Sequence, residues 1–158
     1  MEVLDKRRKY KLLERINNYK NRHKENYLDH NVIKTVKNND VCLFNVLLSK
    51  SNNPNISFYR IRIFNYKEHI GYVNYSMDIG EENSNLYIRD INIEDKWINE
   101  GIGTKIIEYL EKIANLEGLV YIRGELSEYD IEDHGDRLIN FYNKNGFQIK
   151  VDKIIKFL

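Results

Sequence analysis

Apolar residues recur with two different periods along this chain, and the change of period separates helical from extended segments. Residues 4–20 and 24–37 each carry an apolar stripe among polar and basic residues. A period near 3.6 residues is typical of an amphipathic helix. The pattern therefore predicts two N-terminal helices, broken around residues 21–23. The stripe positions are Leu12, Leu13, Ile16 and Tyr19 in the first segment, and Leu28, Val32, Ile33 and Val36 in the second.

Four extended segments follow. Val41–Leu48 is almost wholly apolar, as a strand buried on both faces would be. Ser57–Phe64 alternates apolar with polar residues, as a half-buried strand does. Ile70–Met77 and Leu86–Ile93 are the third and fourth strands of the series. Because the connections between these strands are short, the pattern predicts an antiparallel meander.

The second half of the chain returns to helical spacing. A loop with Gly101 and Gly103 leads into an apolar stripe that ends near Gly118, a residue suited to a helix C-terminus. The extended run Leu119–Arg123 follows this helical crossover, so we expect it to lie parallel to Leu86–Ile93. A short helix and two short strands close the chain, at Asp136–Asn145, Phe147–Lys150 and Lys153–Leu158.

These elements together predict an α+β fold. We expect one domain over residues 1–158, built on a mixed, mostly antiparallel sheet of about seven strands with flanking helices. Residues 1–38 would form a helical N-terminal extension, and residues 41–158 would form the core.

Composition narrows the class of protein. The chain has 158 residues and one cysteine, Cys42, so it offers no intrachain disulfide and suggests no metal cluster. No segment is apolar enough to span a membrane, and the basic N-terminal region does not resemble a signal peptide. We therefore expect a cytoplasmic protein that acts without a metal.

Charge is distributed unevenly. Residues 1–40 have a net charge of +5, residues 41–158 have −4, and the segment 125–136 holds six acidic residues and no lysine or arginine. An acidic segment beside a reactive site would attract a cationic substrate, although charge runs are more commonly solvated loops. A basic arm can bind nucleic acid, but the apolar stripes of the N-terminal segment favour packing on the domain, or dimerisation.

The loop around Gly101 and Gly103 is a candidate anion site. Two glycines one residue apart at a helix start leave backbone N–H groups open, and the positive end of the helix dipole favours a phosphate or pyrophosphate. A second stretch, Phe141–Phe147, reads Phe-Tyr-Asn-Lys-Asn-Gly-Phe. Together with Ile98–Gly103, it resembles two motifs of the GNAT superfamily of N-acetyltransferases: the Arg/Gln-x-x-Gly-x-Gly/Ala loop and the Phe-Tyr-x-x-x-Gly-Phe run.

The resemblance implies that acetyl-coenzyme A is the co-substrate and enters between the fourth and fifth strands. The main chain of the glycine loop would hold the pyrophosphate, and Thr104 would add a hydroxyl donor or serve only as a helix-start residue. Asn140 would hydrogen-bond the cofactor or cap locally. The implied cofactor-binding residues are Ile91, Asn92, Ile93, Ile98, Asn99, Glu100, Gly101, Ile102, Gly103, Thr104, Asn140 and Tyr142.

The chain departs from the family pattern in three places. Ile98 stands where the family has Arg or Gln, so we expect weaker cofactor affinity. Only residues 49–56 connect the first two strands of the core, where the family places two helices that wall the acceptor site. The N-terminal helices are the candidates to replace that wall. The connection at residues 124–136 is longer and more acidic than usual.

The resemblance also suggests catalytic residues. Tyr142 matches a tyrosine that protonates the departing thiolate, with plain helix packing as the alternative. Glu125 is the first candidate for a general base and Asp90 is the second. Asp130 and His134 could relay a proton through water. Cys42 has no nearby histidine in sequence, so we do not expect covalent catalysis through its thiol.

The sequence therefore predicts an N-acetyltransferase acting on a primary amine of a small-molecule or peptidic acceptor, with a tilt towards a cationic one. The alternative is a non-catalytic acyl-coenzyme A-binding or interaction module on the same scaffold, which the missing polar side chain at Ile98 favours. A membrane partner is not expected, nucleic acid is less favoured, and a homodimer is left open.

Overall fold

The computed structural model describes residues 2–80 and 82–158, whose strands join in one sheet. The strands are β1 (Tyr27–Lys34), β2 (Asp40–Lys50), β3 (Ile56–Phe64), β4 (His69–Asp78), β5 (Asn85–Ile93), β6 (Tyr121–Glu125), β7 (Gln148–Lys150) and β8 (Lys153–Phe157). The helices are α1 (Glu2–Arg22), α2 (Ile102–Leu116) and α3 (Glu128–Lys144), with a 3₁₀ turn at Asp95–Trp97. The strand order across the sheet is β1-β2-β3-β4-β5-β6-β8-β7.

The meander and the crossover are confirmed. Strands β2 to β5 pair antiparallel in sequence order, whereas β5 and β6 pair parallel on either side of α2. The parallel pairing is expected because a helix carries the chain back to the starting edge of the sheet before the next strand begins.

Strand β2 is buried on both faces, as its continuous apolar run predicts. Val41 and Leu43 belong to the main core under α2, whereas Cys42 and Phe44 belong to a second cluster under α1. Successive side chains of a strand point to opposite faces, so an unbroken apolar run needs a cover on each side. Helix α1 supplies the second cover with Leu12 and Ile16, at the positions that the first N-terminal stripe predicts.

The prediction of a second N-terminal helix is wrong, because Tyr27–Lys34 forms strand β1. This strand brings the sheet to eight strands among the described residues. It pairs antiparallel with β2 from Tyr27 to Lys34. Its apolar residues fit helical spacing, but Val32 is 42% exposed and only Ile33 is buried. A weak apolar stripe of this kind fits either a helix or a strand. The segment forms a strand because the free edge of β2 offers it backbone hydrogen bonds.

The acidic segment is not a loop either. Helix α3 begins at Glu128 and not at Asp136, and it has non-helical backbone angles at His134, where the helix kinks. The Ser127 side chain accepts a hydrogen bond from the Asp130 N–H at 3.0 Å, so Ser127 is the N-cap. The acids of the first turn also interact favourably with the positive end of the helix dipole.

No helix among the described residues is long and apolar enough to cross a membrane.

Candidate active site

Strands β5 and β6 separate partway along their length, and the gap is the centre of the site. Their paired positions run from Asn85 with Tyr121 to Ile88 with Gly124 and then stop. One residue later β5 has a bulge, because Ile88 and Asp90 pair with consecutive residues of β4 and leave Arg89 as the extra residue. Beyond this point the edge of β5 that faces β6 is open.

A cavity of about 480 Å³ occupies this gap. Its walls come from the open part of β5, the end of β6, the glycine loop, the start of α2 and one face of α3. The lining combines apolar side chains with charged and polar ones, and a concave site of this size can hold a small molecule. The lining includes Val36, Arg89, Asp90, Ile91, Ile93, Trp97, Ile98, Asn99, Gly101, Ile102, Gly103, Thr104, Glu125, Asp130, Arg137, Phe141, Tyr142 and Lys144.

The glycine loop presents free backbone donors to the cavity. Within residues 2–80 and 82–158, the N–H groups of Gly101 to Thr104 make no backbone hydrogen bond, and no side chain caps α2. Asn99 and Gly101 both have positive φ, 67° and 82°, so the chain turns sharply into the helix. These donors at the positive end of a 15-residue helix fit a phosphate group.

The two sequence motifs meet at Gly103. A Cβ placed on Gly103 would lie 2.8 Å from Cε2 of the Phe141 ring, closer than real Cβ contacts come. The missing side chain at Gly103 therefore lets α3 approach the start of α2, in addition to leaving the backbone open to a ligand. Phe141 also lines the cavity, so one contact sets both the helix packing and the cavity wall.

The turn between β1 and β2 packs against the same loop. The Val36 N–H donates to the Glu100 carbonyl at 2.9 Å, and Lys37 forms an ion pair with the Glu100 Oε1 at 3.1 Å. Glu100 is buried, and within the described residues its Oε2 has no hydrogen-bond partner. Helix α1, the expected wall, packs on β2 and contributes no residue to the cavity lining, whereas Val36 does.

Tyr142 lies at the inner wall of the cavity and is 6% exposed. Its ring packs edge-to-face on Phe141 and Phe147, with centroids 5.0 and 5.4 Å away. Burial, reinforced by the nearby carboxylates of Asp130 and Asp90, raises the pKa of Tyr142 to about 12. The phenol is therefore protonated at neutral pH and able to donate a hydrogen bond into the cavity.

Three carboxylates line the same cavity: Asp90 on β5, Glu125 at the end of β6 and Asp130 in the first turn of α3. Asp130 is held by Ser127, whose hydroxyl donates to Oδ2 at 2.6 Å. His134 lies at the kink of α3 and is not part of the lining. The cavity therefore combines an acidic end with the anion-binding end at the glycine loop.

The structure gathers most of the predicted cofactor residues but leaves three outside the lining. Asn92 pairs with Tyr72 of β4 and is exposed, Glu100 points to Lys37, and Asn140 lies exposed on α3. Their roles, and those of the lining residues, stay predictions. Cys42 lies under α1, on the opposite face of β2 from the main core, and burial raises the pKa of its thiol to about 12.

Besides Arg89 on β5, sequence reasoning missed two basic residues of the lining, Arg137 and Lys144 on α3. They lie seven residues apart on α3 with Phe141 between them, so they share one helix face. Both residues lie inside the predicted helix Asp136–Asn145, so their spacing with Phe141 is the signal that could have shown this face. The Ser127–Asp130 cap is the signal for the true start of α3.

A sheet that opens beside a helix N-terminus with free N–H groups is suited to an elongated ligand that carries a phosphate group. The model of the acetyltransferase (GNAT) family matches residues 52–147, and the chain belongs to that family. This confirms the resemblance drawn from Ile98–Gly103 and Phe141–Phe147. Among curated protein sequences, none is significantly similar to the chain.

Solved structures confirm the fold. PaiA N-acetyltransferase from Thermoplasma acidophilum, in complex with coenzyme A, is 19% identical with a TM-score of 0.51, over 67% of this chain and 63% of that one. The GNAT domain of S. lividans PAT is 8% identical with a TM-score of 0.59, over 82% and 97% of the two chains. A GNAT acetyltransferase from Elizabethkingia anophelis with acetyl-CoA bound is 15% identical with a TM-score of 0.50, over 66% and 77%.

Proposed function

We propose that this protein transfers the acetyl group of acetyl-coenzyme A to a primary amine of a small molecule or peptide. One observation carries the proposal: the gap between β5 and β6 begins beside the free N–H groups of Gly101–Thr104 and ends at Tyr142 and three carboxylates. A phosphate site, a slot for an extended chain and proton-handling side chains are what this transfer needs.

The phosphate end relies on the main chain. The N–H groups of Gly101–Thr104 would hold the pyrophosphate, since Ile98 supplies no polar side chain. Arg137 and Lys144 line the same cavity and would add the positive charge that Ile98 lacks. Ile91 and Ile93 lie on the part of β5 that pairs with β4 and no longer with β6, and they would offer backbone groups to the pantetheine.

The reactive end holds the groups that move protons. Acetyl-coenzyme A supplies an acyl thioester, whose C–S bond breaks as the amine nitrogen bonds to the acyl carbon. Tyr142 would give its proton to the departing sulfur, because its pKa of about 12 keeps it protonated at neutral pH. Asp90, Glu125 and Asp130 would attract the cationic amine and take, directly or through water, the proton that it must lose.

Coenzyme A binding is tested by thermal shift. A ligand that binds only the folded state raises stability by RT ln(1+[L]/Kd), so saturating coenzyme A should raise the Tm. A panel of amines with acetyl-coenzyme A, followed by detection of the free thiol, then tests transfer. Binding with no thiol release from any amine would favour the non-catalytic module, and an absent thermal shift would count against the coenzyme A site itself.

Tyr142→Phe tests the proton donor. We expect turnover to fall roughly a hundredfold, the low end of general acid catalysis, with little change in coenzyme A affinity. Stability should hold, because no hydrogen bond of the hydroxyl is found in the described part of the chain. Tyr121→Phe is the matched control, since Tyr121 lies on β6 outside the cavity lining. Equal turnover in the two variants would remove Tyr142 from the chemistry.

A further inference from the structure

The face of the sheet opposite α2 is only partly covered. The apolar cluster under α1 is confined to β2, β3 and neighbouring residues, with Phe44 and Phe64 at its centre. Further across the same face, Phe58, Ser76, Tyr87 and Arg123 are opposite one another on β3, β4, β5 and β6. Directly opposite residues point to the same side of a sheet, so these four side chains form one row.

Arginine side chains stack on the aromatic rings of this row. The Arg123 guanidinium carbon lies 4.4 Å from the Tyr87 ring centroid. The Arg89 guanidinium carbon lies 5.3 Å from the Phe58 centroid and 5.6 Å from that of Tyr87. The Arg123 Nε donates to the Asn85 Oδ1 at 2.9 Å, which fixes the orientation of its plane. Stacking leaves the outer N–H groups of a guanidinium available to an oxyanion.

These two arginines line a second pocket, of about 220 Å³, and no carboxylate pairs with them in the part of the chain that the structure describes. Every ion pair found among residues 2–80 and 82–158 uses a lysine. Asp78 also lines the pocket, but its Oδ1 accepts the Gly80 N–H at 3.0 Å within its own turn. The pocket therefore presents two arginines against one carboxylate that is held within its own turn, with aromatic rings as its floor. This excess of positive charge suits a carboxylate or a phosphate.

Arg89 joins this pocket to the reactive cavity. It is the bulged residue of β5, it lines both cavities, and the next residue is Asp90. Positive charge on one side of the bulge is thus adjacent to the carboxylates of Asp90, Glu125 and Asp130 on the other. An acceptor lying across the bulge would meet carboxylates at one end and arginines at the other.

We propose that the acceptor is an amine that also carries an oxyanion group, which Arg89 and Arg123 bind in the second pocket while the amine faces the carboxylates. This inference rests on the proposed function. It narrows the acceptor from a merely cationic amine to one with opposite charges at its two ends.

The test compares matched acceptors. Thiol release from acetyl-coenzyme A is measured with β-alanine, γ-aminobutyrate and longer ω-amino acids against alkylamines of equal length. A second arm uses aminoalkyl phosphates, and so separates a carboxylate from a phosphate requirement. We expect the best anionic acceptor to exceed its plain amine about tenfold or more in kcat/KM, mainly through KM, as charge-assisted bonds predict.

Arg123→Gln is the decisive variant, because Arg123 lines only the second pocket. It should abolish the advantage of the anionic acceptor while leaving the plain amines unchanged. Arg60→Gln is the matched control: the Arg60 guanidinium carbon lies 5.0 Å from the Tyr72 centroid, and Arg60 is part of neither lining. An advantage that survives Arg123→Gln, or equal use of both kinds of acceptor by the unmodified protein, would overturn the inference while leaving the acetyltransferase intact.

Binding is measured as well, so that the pocket is tested even if no amine is acetylated. Thermal shift with aminopropyl phosphate should raise the Tm of the unmodified protein and of Arg60→Gln, and should fail for Arg123→Gln. No shift in the unmodified protein at millimolar probe would reject the pocket as an oxyanion site. Absence of thiol release from every amine would reject the proposed function separately.

Discussion

Replacing Gly103 by alanine should destabilise the fold even though alanine is the better helix former. The added Cβ would lie 2.8 Å from Cε2 and 3.0 Å from Cζ of Phe141, so the aromatic ring or the start of α2 must move. Overpacking of this kind costs about 1–3 kcal/mol. The gain in helix propensity offsets up to about 1 kcal/mol of that cost. We therefore expect a net loss of roughly 1 kcal/mol, or about 2–4 °C in Tm for a chain of this size.

Gly135→Ala is the matched control within α3. A Cβ there would meet only Ile131 Cγ2, at the ordinary distance of 3.7 Å, so this variant should be neutral or stabilised by up to about 1 kcal/mol. Equilibrium denaturation of both variants measures the difference. Stability of Gly103→Ala equal to that of Gly135→Ala would show that α3 does not approach α2 as closely as described.

A double-mutant cycle assigns the effect to its partner. Phe141→Leu removes the ring that the Gly103 Cβ would meet, so the two substitutions together should cost less than the sum of their single effects. Coupling of about 1 kcal/mol is expected for groups in contact, whereas additive effects would place the origin elsewhere. Because Phe141 also lines the cavity, coenzyme A affinity should fall in Gly103→Ala and recover in part in the double variant.

Lys37→Ala leaves the buried Glu100 carboxylate without its ion-pair partner and should cost about 1 kcal/mol in denaturation, because the Lys37 side chain is 75% exposed and solvent screens the pair; Glu100→Gln should restore stability. Neutralising Arg137 and Lys144 together should weaken coenzyme A binding about tenfold and flatten its dependence on salt, as titration calorimetry at two ionic strengths would show. Burial raises the pKa of the Cys42 thiol from 9.0 to about 12. The stability that comes from keeping this thiol protonated is therefore fully present below pH 9 and is lost as the pH rises towards 12. Denaturation across that range should show that the free energy of unfolding of Cys42→Ala falls less steeply with pH than that of the unmodified protein.

The core of the fold was predictable because its signals are local and agree with one another. Val41–Leu48 is apolar throughout, and the structure covers it on both faces. The meander could be predicted from the short connections between its strands, and the parallel pair could be predicted from the helix that lies between two strands in sequence. Where a segment had two compatible interpretations, as residues 27–34 did, the neighbour that it pairs with decided, and that neighbour is not visible in the segment itself.

The candidate site was predictable in its main chain and less so in its side chains. The glycine loop is continuous in sequence, so Gly101 and Gly103 could be identified from their spacing alone. Arg137 and Lys144 lie inside the predicted helix, but which face of that helix lines the cavity depends on tertiary packing, here the close approach of Phe141 to Gly103. The predicted start of the helix is eight residues too late. The correct start depends on one hydrogen bond, from the Asp130 N–H to the Ser127 side chain.

The row Phe58, Ser76, Tyr87 and Arg123 shows where sequence reasoning reaches its limit. Its members come from four strands, and each is ordinary alone; only the register of three strand pairings places them side by side. The bulge at Arg89 matters for the same reason, because a shift of one residue changes which side chains share a face. The loop that would hold the coenzyme consists of consecutive residues. The surface proposed to select the acceptor combines residues from four strands and forms only when the sheet has formed. For this reason the acceptor, and not the coenzyme, is the part of the function that the variants of Arg123 must decide.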